Sequence, residues 1–244
     1  MGFSPVPSPI SYADALDLAA IEHDRFLAVL RAMRADDWGR LTDCDPWTAR
    51  DVAGHVLGSM HDNSSLRRAV TALRRAQHAA KRHRTIPLDE MTAAQVCAFA
   101  DVPDTEVATT FARLSPANLR GRKRIPPFLR HAPITVNGQR YTLGYITGIV
   151  LTRDVWMHRI DLTRATGQHL VLTADHDGKI VADVVGDWAR THTQPFALQL
   201  DGPAGGTWQH NSNRHTLQLD AIEFCRTISG RGTDTGLLTQ HILF

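Results

Sequence analysis

Asp154 and His158 stand four residues apart in a stretch with helical periodicity, so their side chains could share one metal ion. Positions i and i+4 of an α-helix lie on the same face, because each turn takes 3.6 residues. His55, in an earlier helical segment, offers a second imidazole. Two imidazoles and one carboxylate can hold a metal and still leave coordination positions open for a reactant. We therefore predict a metal site at His55, Asp154 and His158.

The segment that carries this pair predicts a long helix over residues 143–165, ended by Gly167. Helical spacing places residues 147, 150, 154, 158 and 161 on one face, which is polar where a bundle helix is normally apolar. Buried polar groups need partners, and a metal ion would supply one. Asp161, one turn beyond His158, is interpreted as an extra ligand or as a hydrogen-bond acceptor behind it.

Simpler interpretations of the same residues stay open on spacing alone. His55 by itself is typical of a core histidine with a hydrogen-bond partner. Asp154 and His158 by themselves are equally typical of a pair bonded within one helix. Packing roles are predicted for Trp47, Trp156, Trp188, Cys44 and Cys225. The basic run at residues 120–124 is interpreted as a solvated loop, or else as a site for an anionic substrate or sugar–inositol cofactor.

The elements that must position the site follow from periodicity and from end signals. Thr48 and Asp51 form an acidic capping box, which predicts a helix start there. Residues 115–141 are predicted to be irregular, with Asn137-Gly138 as a turn between two short strands. The predicted helices are 11–34, 48–79, 89–100, 104–114, 143–165, 179–190 and 220–228, and the later strands are 196–200, 206–210 and 216–219.

The order of these elements predicts an α+β fold: a four-helix bundle at residues 1–168 and a small α/β domain at 169–244. A net charge of +2 in 244 residues does not favour a nucleic-acid binder. No apolar stretch approaches the length of a membrane helix, and the N-terminus lacks a signal-peptide pattern, so we expect a cytoplasmic protein. Three widely spaced cysteines predict neither a disulfide framework nor a cysteine metal knuckle. Oligomeric state is not indicated.

Three stretches carry a resemblance to a known family: residues 44–55, 153–167 and 220–231. They resemble the mycothiol-dependent maleylpyruvate isomerases of actinobacteria, a branch of the DinB-like metal-binding bundles. The resemblance implies a DinB-like bundle followed by a sterol-carrier-like domain. It also implies zinc, or another divalent metal, at His55, Asp154 and His158. The isomerase branch has Glu where this chain has Asp154, so the ion would lie closer to this helix or be bound in another carboxylate mode.

The resemblance further implies mycothiol as a thiol cofactor and an essential arginine from the C-terminal domain. Arg231 is the candidate, and Arg226 is the alternative. The predicted function is a zinc-dependent thiol transferase or isomerase, in which a metal-bound thiolate attacks a small electrophile. Two alternatives remain: a non-catalytic module that binds a small ligand, and a metal-dependent hydrolase in which water replaces the thiol.

Overall fold

The computed structural model describes residues 4–5, 9–136, 138–191, 194–211 and 216–244. The chain divides into two compact units. One unit is Tyr12–His169, and the other joins Leu170–Phe244 to the N-terminal segment that ends at Ser11. Among the described residues, no helix has the length and apolar character needed to cross a membrane.

The first unit is mainly helical. Its helices are α1 (Tyr12–Arg31), α2 (Ala49–Asp62), α3 (Leu66–His83), α4 (Pro87–Ala98), α5 (Asp104–Lys123), α6 (Pro127–Arg130), α7 (Leu143–Tyr145) and α8 (Leu151–Thr166). Four of them form a bundle, in which α1 packs on α5 and α8, and α2 packs on the same two helices. The apolar faces meet in one core, where Phe26 of α1 stacks on Phe111 of α5 at 5.1 Å between ring centroids. Helices α3 and α4 pack on α2 outside the bundle.

Helix α2 begins where its sequence signal predicts. The backbone N–H of Thr48 donates to Asp51 Oδ2 at 2.9 Å, and the N–H of Asp51 donates to Thr48 Oγ1 at 3.2 Å. This reciprocal pair satisfies donors that the first helical turn leaves without partners. The predicted single helix over 48–79 is wrong, because the chain turns after Asp62 and Ser65 caps a new helix.

A close helix crossing explains this break. An added Cβ at Gly121 of α5 would lie 2.3 Å from the carbonyl oxygen of Ser64, so the turn between α2 and α3 rests directly on α5. Tertiary packing of this kind is invisible to a search for local periodicity.

Helix α5 runs nine residues beyond its predicted end at 114, so part of the segment predicted to be irregular is helical. Pro116 lies inside this helix and removes one backbone hydrogen bond. Contacts to other helices outweigh that loss: Asn118 Nδ2 donates to the carbonyl of Met60 at 3.2 Å. The basic run at 120–124 is consequently the helix end, and Arg122 is only 1% exposed instead of solvated.

A hairpin and a composite helix complete this unit. Strands β2 (Pro133–Val136) and β3 (Gln139–Thr142) pair antiparallel, with Gly138 at φ +80° between them, and Asn137 lies outside the described residues. After β3, the chain forms three consecutive helical segments: α7, a π-helical turn at Ile146–Val150, and α8. Gly167 ends α8 at φ +69°, the left-handed conformation that its sequence position predicts.

The second unit packs helices α9 (Lys179–Arg190) and α10 (Ala221–Ile228) with a four-stranded sheet. Its strands are β1 (Ser4–Pro5), β4 (Phe196–Asp201), β5 (Gly206–His210) and β6 (Thr216–Asp220), in the order β1-β5-β4-β6. β5 is antiparallel to β4, and β6 is parallel to it. Trp188 packs against Phe196 and Phe224 in its core. A helical bundle with a separate small sheet confirms the predicted α+β fold class.

Candidate metal centre

The structure brings His55, Asp154 and His158 together inside the bundle. His55 Nε2 of α2 lies 3.2 Å from Asp154 Oδ1 of α8, and His158 Nε2 lies 3.5 Å from the same oxygen. The planes of the two imidazole rings make an angle of 76°, and the ring centroids lie 5.0 Å apart. Both imidazoles are buried, so three candidate ligand atoms from two helices face one small volume.

Asp161 lies behind His158 and orients its ring. His158 Nδ1 is 2.9 Å from Asp161 Oδ2, and the Asp161 side chain is fully buried. Once a metal ion displaced the proton from Nε2, a proton on Nδ1 donated to this carboxylate would leave the Nε2 lone pair free for the ion. The carboxylate–histidine pair therefore prepares Nε2 as a ligand atom, which favours the hydrogen-bond role expected for Asp161 over direct ligation.

Charge within the cluster favours an ionised carboxylate beside protonated imidazole. Burial opposes ionisation of Asp154, but electrostatic interaction with His55 and hydrogen bonds with both imidazoles outweigh it and lower the Asp154 pKa. Burial likewise opposes protonation of His158, yet hydrogen bonds to Asp154 and Asp161 raise the His158 pKa. Protons thus occupy positions from which a divalent cation would displace them.

The residues fit a metal ion by donor type and by spacing. Imidazole nitrogen and carboxylate oxygen are the donors that zinc takes, and ligands of a tetrahedral ion at about 2.1 Å are separated by about 3.4 Å. The separations of 3.2 and 3.5 Å match that spacing. His55 differs from His158 in one respect: its Nδ1 is buried and has no hydrogen-bond partner among the described residues.

Trp47 forms a wall beside both imidazoles. Its ring centroid lies 5.0 Å from that of His55 and 6.0 Å from that of His158. The indole also packs against the bundle core, as expected for a packing residue. An apolar wall excludes water from one side and strengthens electrostatic interactions within the cluster.

Two buried arginines hold α8 in place. Arg159, next to His158 in sequence, donates to Glu22 of α1 through Nε at 2.6 Å and Nη2 at 3.2 Å. Arg122 of α5 donates to the carbonyls of Thr147 and Gly148, which belong to the π-helical turn before α8. These contacts set the position of α8 relative to its neighbours, and with it the positions of Asp154 and His158.

The π-helical turn at Ile146–Val150 shows that the predicted polar face of residues 147, 150, 154, 158 and 161 is not continuous. Helical spacing placed Thr147 in line with Asp154, but the wider turn between them changes the register. Thr147 Oγ1 instead lies 3.4 Å from the hydroxyl of Tyr12, and its carbonyl accepts from Arg122.

Cys44 is a neighbour of the cluster that the sequence interpretation did not place there. Its Sγ and ligand atoms of His158 and Asp161 all lie within 4.8 Å of one another. The sequence offers no periodic signal for this position, because Cys44 lies in the loop before the Thr48 cap. The sequence alone predicts only a small packing residue at Cys44.

Arg231 and its alternative Arg226 belong to the second unit. Arg226 is buried at the end of α10, where its guanidinium donates to Glu223 and to the carbonyl of Arg231. Through the second of these hydrogen bonds, Arg226 stabilises the turn that follows α10. Arg231 lies in this turn and is half-buried, with its N–H bonded to the Arg226 carbonyl at 2.8 Å.

The bundle, with its histidine–carboxylate cluster, and the small sheet unit define a class of helical-bundle proteins with a candidate metal centre. Residues 19–163 match the family model for the mycothiol maleylpyruvate isomerase N-terminal domain. This match covers more than half of the chain, which therefore belongs to the mycothiol-dependent maleylpyruvate isomerase family. No curated protein matches the sequence significantly.

Two crystal structures share the fold. A mycothiol-dependent maleylpyruvate isomerase superimposes with a TM-score of 0.60 at 15% identity, covering 92% of this chain and 91% of its own. A mutant of a mycothiol-dependent maleylpyruvate isomerase, with one histidine changed to alanine, gives 0.56 at 15% identity, with coverages of 91% and 90%. At this identity, the likeness shows the fold and does not assign the chemistry of individual residues.

Proposed function

We propose that this protein is a metal-dependent enzyme that uses mycothiol to attack a small electrophile, as an isomerase or a thiol transferase. Family membership supports the thiol cofactor and the small substrate. The observation that carries the metal dependence is the convergence of His55, Asp154 and His158 within one buried volume. We propose zinc as the ion, since this donor set and spacing suit it.

Each residue would contribute a distinct property to the reaction. A bound divalent ion would supply the positive charge that favours thiolate over thiol at neutral pH. His55 and His158 provide neutral nitrogen ligands, and Asp154 adds a single negative charge, so the site as a whole keeps a positive charge that attracts an anionic sulfur. Asp161 holds the His158 ring in one tautomer, and Trp47 excludes water from the reacting side.

Arg231 is our proposal for binding a substrate carboxylate. A guanidinium binds a carboxylate through two parallel hydrogen bonds and so orients it. Arg226 is buried and bound to Glu223 and to a backbone carbonyl, so it remains only the alternative.

Metal analysis of the purified full-length protein tests the site. We expect roughly one zinc per chain, lost in His158→Ala and retained in His78→Ala, an exposed histidine on α3 that serves as the matched control. Failure of wild type to bind any divalent metal would contradict the proposal and favour the non-catalytic binding module.

Activity with and without the thiol separates the two enzyme alternatives. We expect turnover of maleylpyruvate, or of a generic small electrophile, only when mycothiol is present. Turnover that is equally fast without any thiol would exclude the transferase and isomerase and favour the metal-dependent hydrolase.

A further inference from the structure

A second concave site lies on the outer side of the first unit, where α2 ends and α3 begins. A cavity of about 430 Å³ is lined there by the side chains of His61, Arg67, Arg68 and Arg75, together with Asp62 and Ser65. The cavity borders the C-terminal end of α2 and the first turns of α3. The metal centre is built instead from residues of α2 and α8, so this cavity has no role in the mechanism above.

The charge of this cavity is strongly positive. Three guanidinium groups and an imidazole face a single carboxylate, Asp62, which already accepts a hydrogen bond from Gln95 Nε2 at 3.1 Å. No aspartate or glutamate occurs between residues 63 and 88. The same segment contains these basic residues: Arg67, Arg68, Arg74, Arg75, Lys81, Arg82 and Arg84. Clustered guanidinium groups that outnumber the nearby carboxylates attract anions and bind carboxylates or phosphates in bidentate geometry.

A more apolar cavity continues from the cationic one. It measures about 280 Å³ and shares His61, Asp62, Ala72 and Arg75 with the first cavity. Its remaining lining is mainly apolar, with alanines from α3 and α4 together with Met91 and Phe99. Glu90 also lines it, but that carboxylate is bound by His83 at 3.0 Å and by Thr85 at 2.6 Å. The two cavities therefore form one groove with a cationic mouth and an alanine-lined interior, which we call the α2–α3–α4 groove.

Gln95 adds an independent sign of a missing partner. Gln95 is 4% exposed and lines the inner cavity. Its side-chain oxygen Oε1 has no hydrogen-bond partner among the described residues. A buried carbonyl without a donor costs about 1–3 kcal/mol, so such atoms usually face a ligand or an ordered water. An added Cβ at Gly58 would lie 2.5 Å from Gln95 Cβ, so a glycine at position 58 is what lets α4 bring Gln95 this close to α2.

We propose that the α2–α3–α4 groove binds an amphiphilic organic anion, whose carboxylate or phosphate is held by Arg67, Arg68 and Arg75. The apolar part of the ligand lies along the alanine-lined interior, where its burial adds to the affinity. A hydroxyl group on the ligand supplies the donor that Gln95 Oε1 lacks. The site is separate from the metal centre and does not depend on the function proposed for that centre.

Calorimetric titration with octyl phosphate tests this proposal on the full-length protein. We expect one molecule bound per chain, with affinity that falls as salt is raised, because exposed charges contribute to the binding. Arg75, which lines both cavities, is the residue to change: Arg75→Gln should weaken binding at least tenfold. Arg74→Gln is the matched control, since Arg74 is the adjacent exposed arginine of α3 and lines neither cavity, and it should change binding less than twofold.

Three further measurements define the ligand class and the independence of the groove. Octyl glucoside, which has the same chain and no charge, should bind at least tenfold more weakly than octyl phosphate. 3-Hydroxyoctanoate should bind more tightly than octanoate, and Gln95→Leu should abolish that difference. His158→Ala should leave octyl phosphate binding unchanged even if it removes the metal. Absence of octyl phosphate binding, equal effects of Arg75→Gln and Arg74→Gln, or equal binding of octyl glucoside would each overturn the proposal.

Discussion

His55 and His158 of the candidate metal centre differ in the hydrogen-bond partners of their ring nitrogens. His158 is held at both ring nitrogens, by Asp154 on one side and Asp161 on the other. His55 is held at Nε2 alone and is confined otherwise by the ring of Trp47. Ligand orientation in metal sites depends strongly on such outer hydrogen bonds. His158 is therefore the better-oriented ligand, and Asp161 is the group responsible.

Replacing Asp161 by asparagine tests that role. Asp161→Asn keeps the size of the side chain but removes the charge that stabilises the Nδ1 proton of His158. We expect zinc affinity to fall about 10–100-fold, measured by competition with a chelator of known affinity. Asp43→Asn is the control, because Asp43 forms an exposed ion pair with Arg164, at 2.7 Å. Equal zinc affinities for Asp161→Asn and wild type would show that Asp161 does not tune the site.

His23 couples the stability of the bundle to pH. Burial, assisted by the charge of Arg122, lowers the pKa of His23 to about 3, from an ordinary value of 6.5. The unfolded chain therefore binds a proton between pH 6.5 and 3 that the folded chain does not, so stability falls as pH is lowered through this window. One such group changes the free energy of unfolding by up to about 1.4 kcal/mol per pH unit.

Urea unfolding at two pH values measures this coupling. Between pH 7 and pH 5, His23→Gln should lose about 2 kcal/mol less stability than wild type, because glutamine has no proton to gain. His78→Gln, at an exposed position on α3, should lose as much as wild type. The coupling assigned to His23 is wrong if both variants show the wild-type pH dependence.

Among the contacts between secondary-structure elements, a buried ion pair joins helices α1 and α8. Glu22 and Arg159 have side chains that are 0% and 3% exposed, and they share two hydrogen bonds. Removing one member of such a pair leaves the other charge buried without its counterion, which is far more destabilising than replacing both.

We expect Glu22→Leu to lower the free energy of unfolding by about 3–5 kcal/mol. The double replacement of Glu22 and Arg159 by leucine should recover most of that loss, because neither charge of the pair is then left buried without the other. Chemical denaturation of the two single variants and the double variant checks this. If the double variant were as unstable as the sum of the two single variants, the pair would not act as a unit.

Local signals in the sequence predicted most element ends but not the departures from regularity. Thr48 and Gly167 act on the backbone within a turn of their own positions, so their effect could be predicted. The turn after Asp62 and the π-helical turn before α8 depend on contacts with α5, which local periodicity does not contain. Arg122 was expected in solvent, because its buried acceptors are backbone carbonyls distant in sequence.

The candidate site was predictable for a related reason. Asp154 and His158 are related by helical geometry alone. His55 is, from the sequence, only an available imidazole on a separate helix, and its approach follows from the packing of α2 on α8. Cys44 lies in a loop without periodicity, and its position beside His158 could not be derived from spacing.

The whole molecule consists of two units with separate cores. The proposed metal ligands His55, Asp154 and His158 belong to the bundle, while Arg231 belongs to the unit with the sheet. Metal binding should therefore stabilise the bundle directly, since a ligand that binds only the folded state lowers the frequency of local opening.

Hydrogen–deuterium exchange with and without metal measures the stabilisation of each unit separately. On treatment with a chelator, we expect faster exchange in peptides from α2 and α8 and unchanged exchange in peptides from β4 and β6. Zinc restored in excess should reverse the change. An equal increase in the sheet peptides would contradict a stabilising effect confined to the bundle.

The π-helical turn at Ile146–Val150 accommodates one more residue than an α-helical turn over the same rise. Deleting a single residue there would regularise the helix and rotate α7, the helical turn that directly precedes it, by about 100° relative to Asp154. The two histidines and the carboxylate would keep their mutual spacing, while the carbonyls bound by Arg122 would turn away from it. A relative that carries such a deletion would need a different residue in place of Arg122, so length variation here and the identity of residue 122 should change together during evolution.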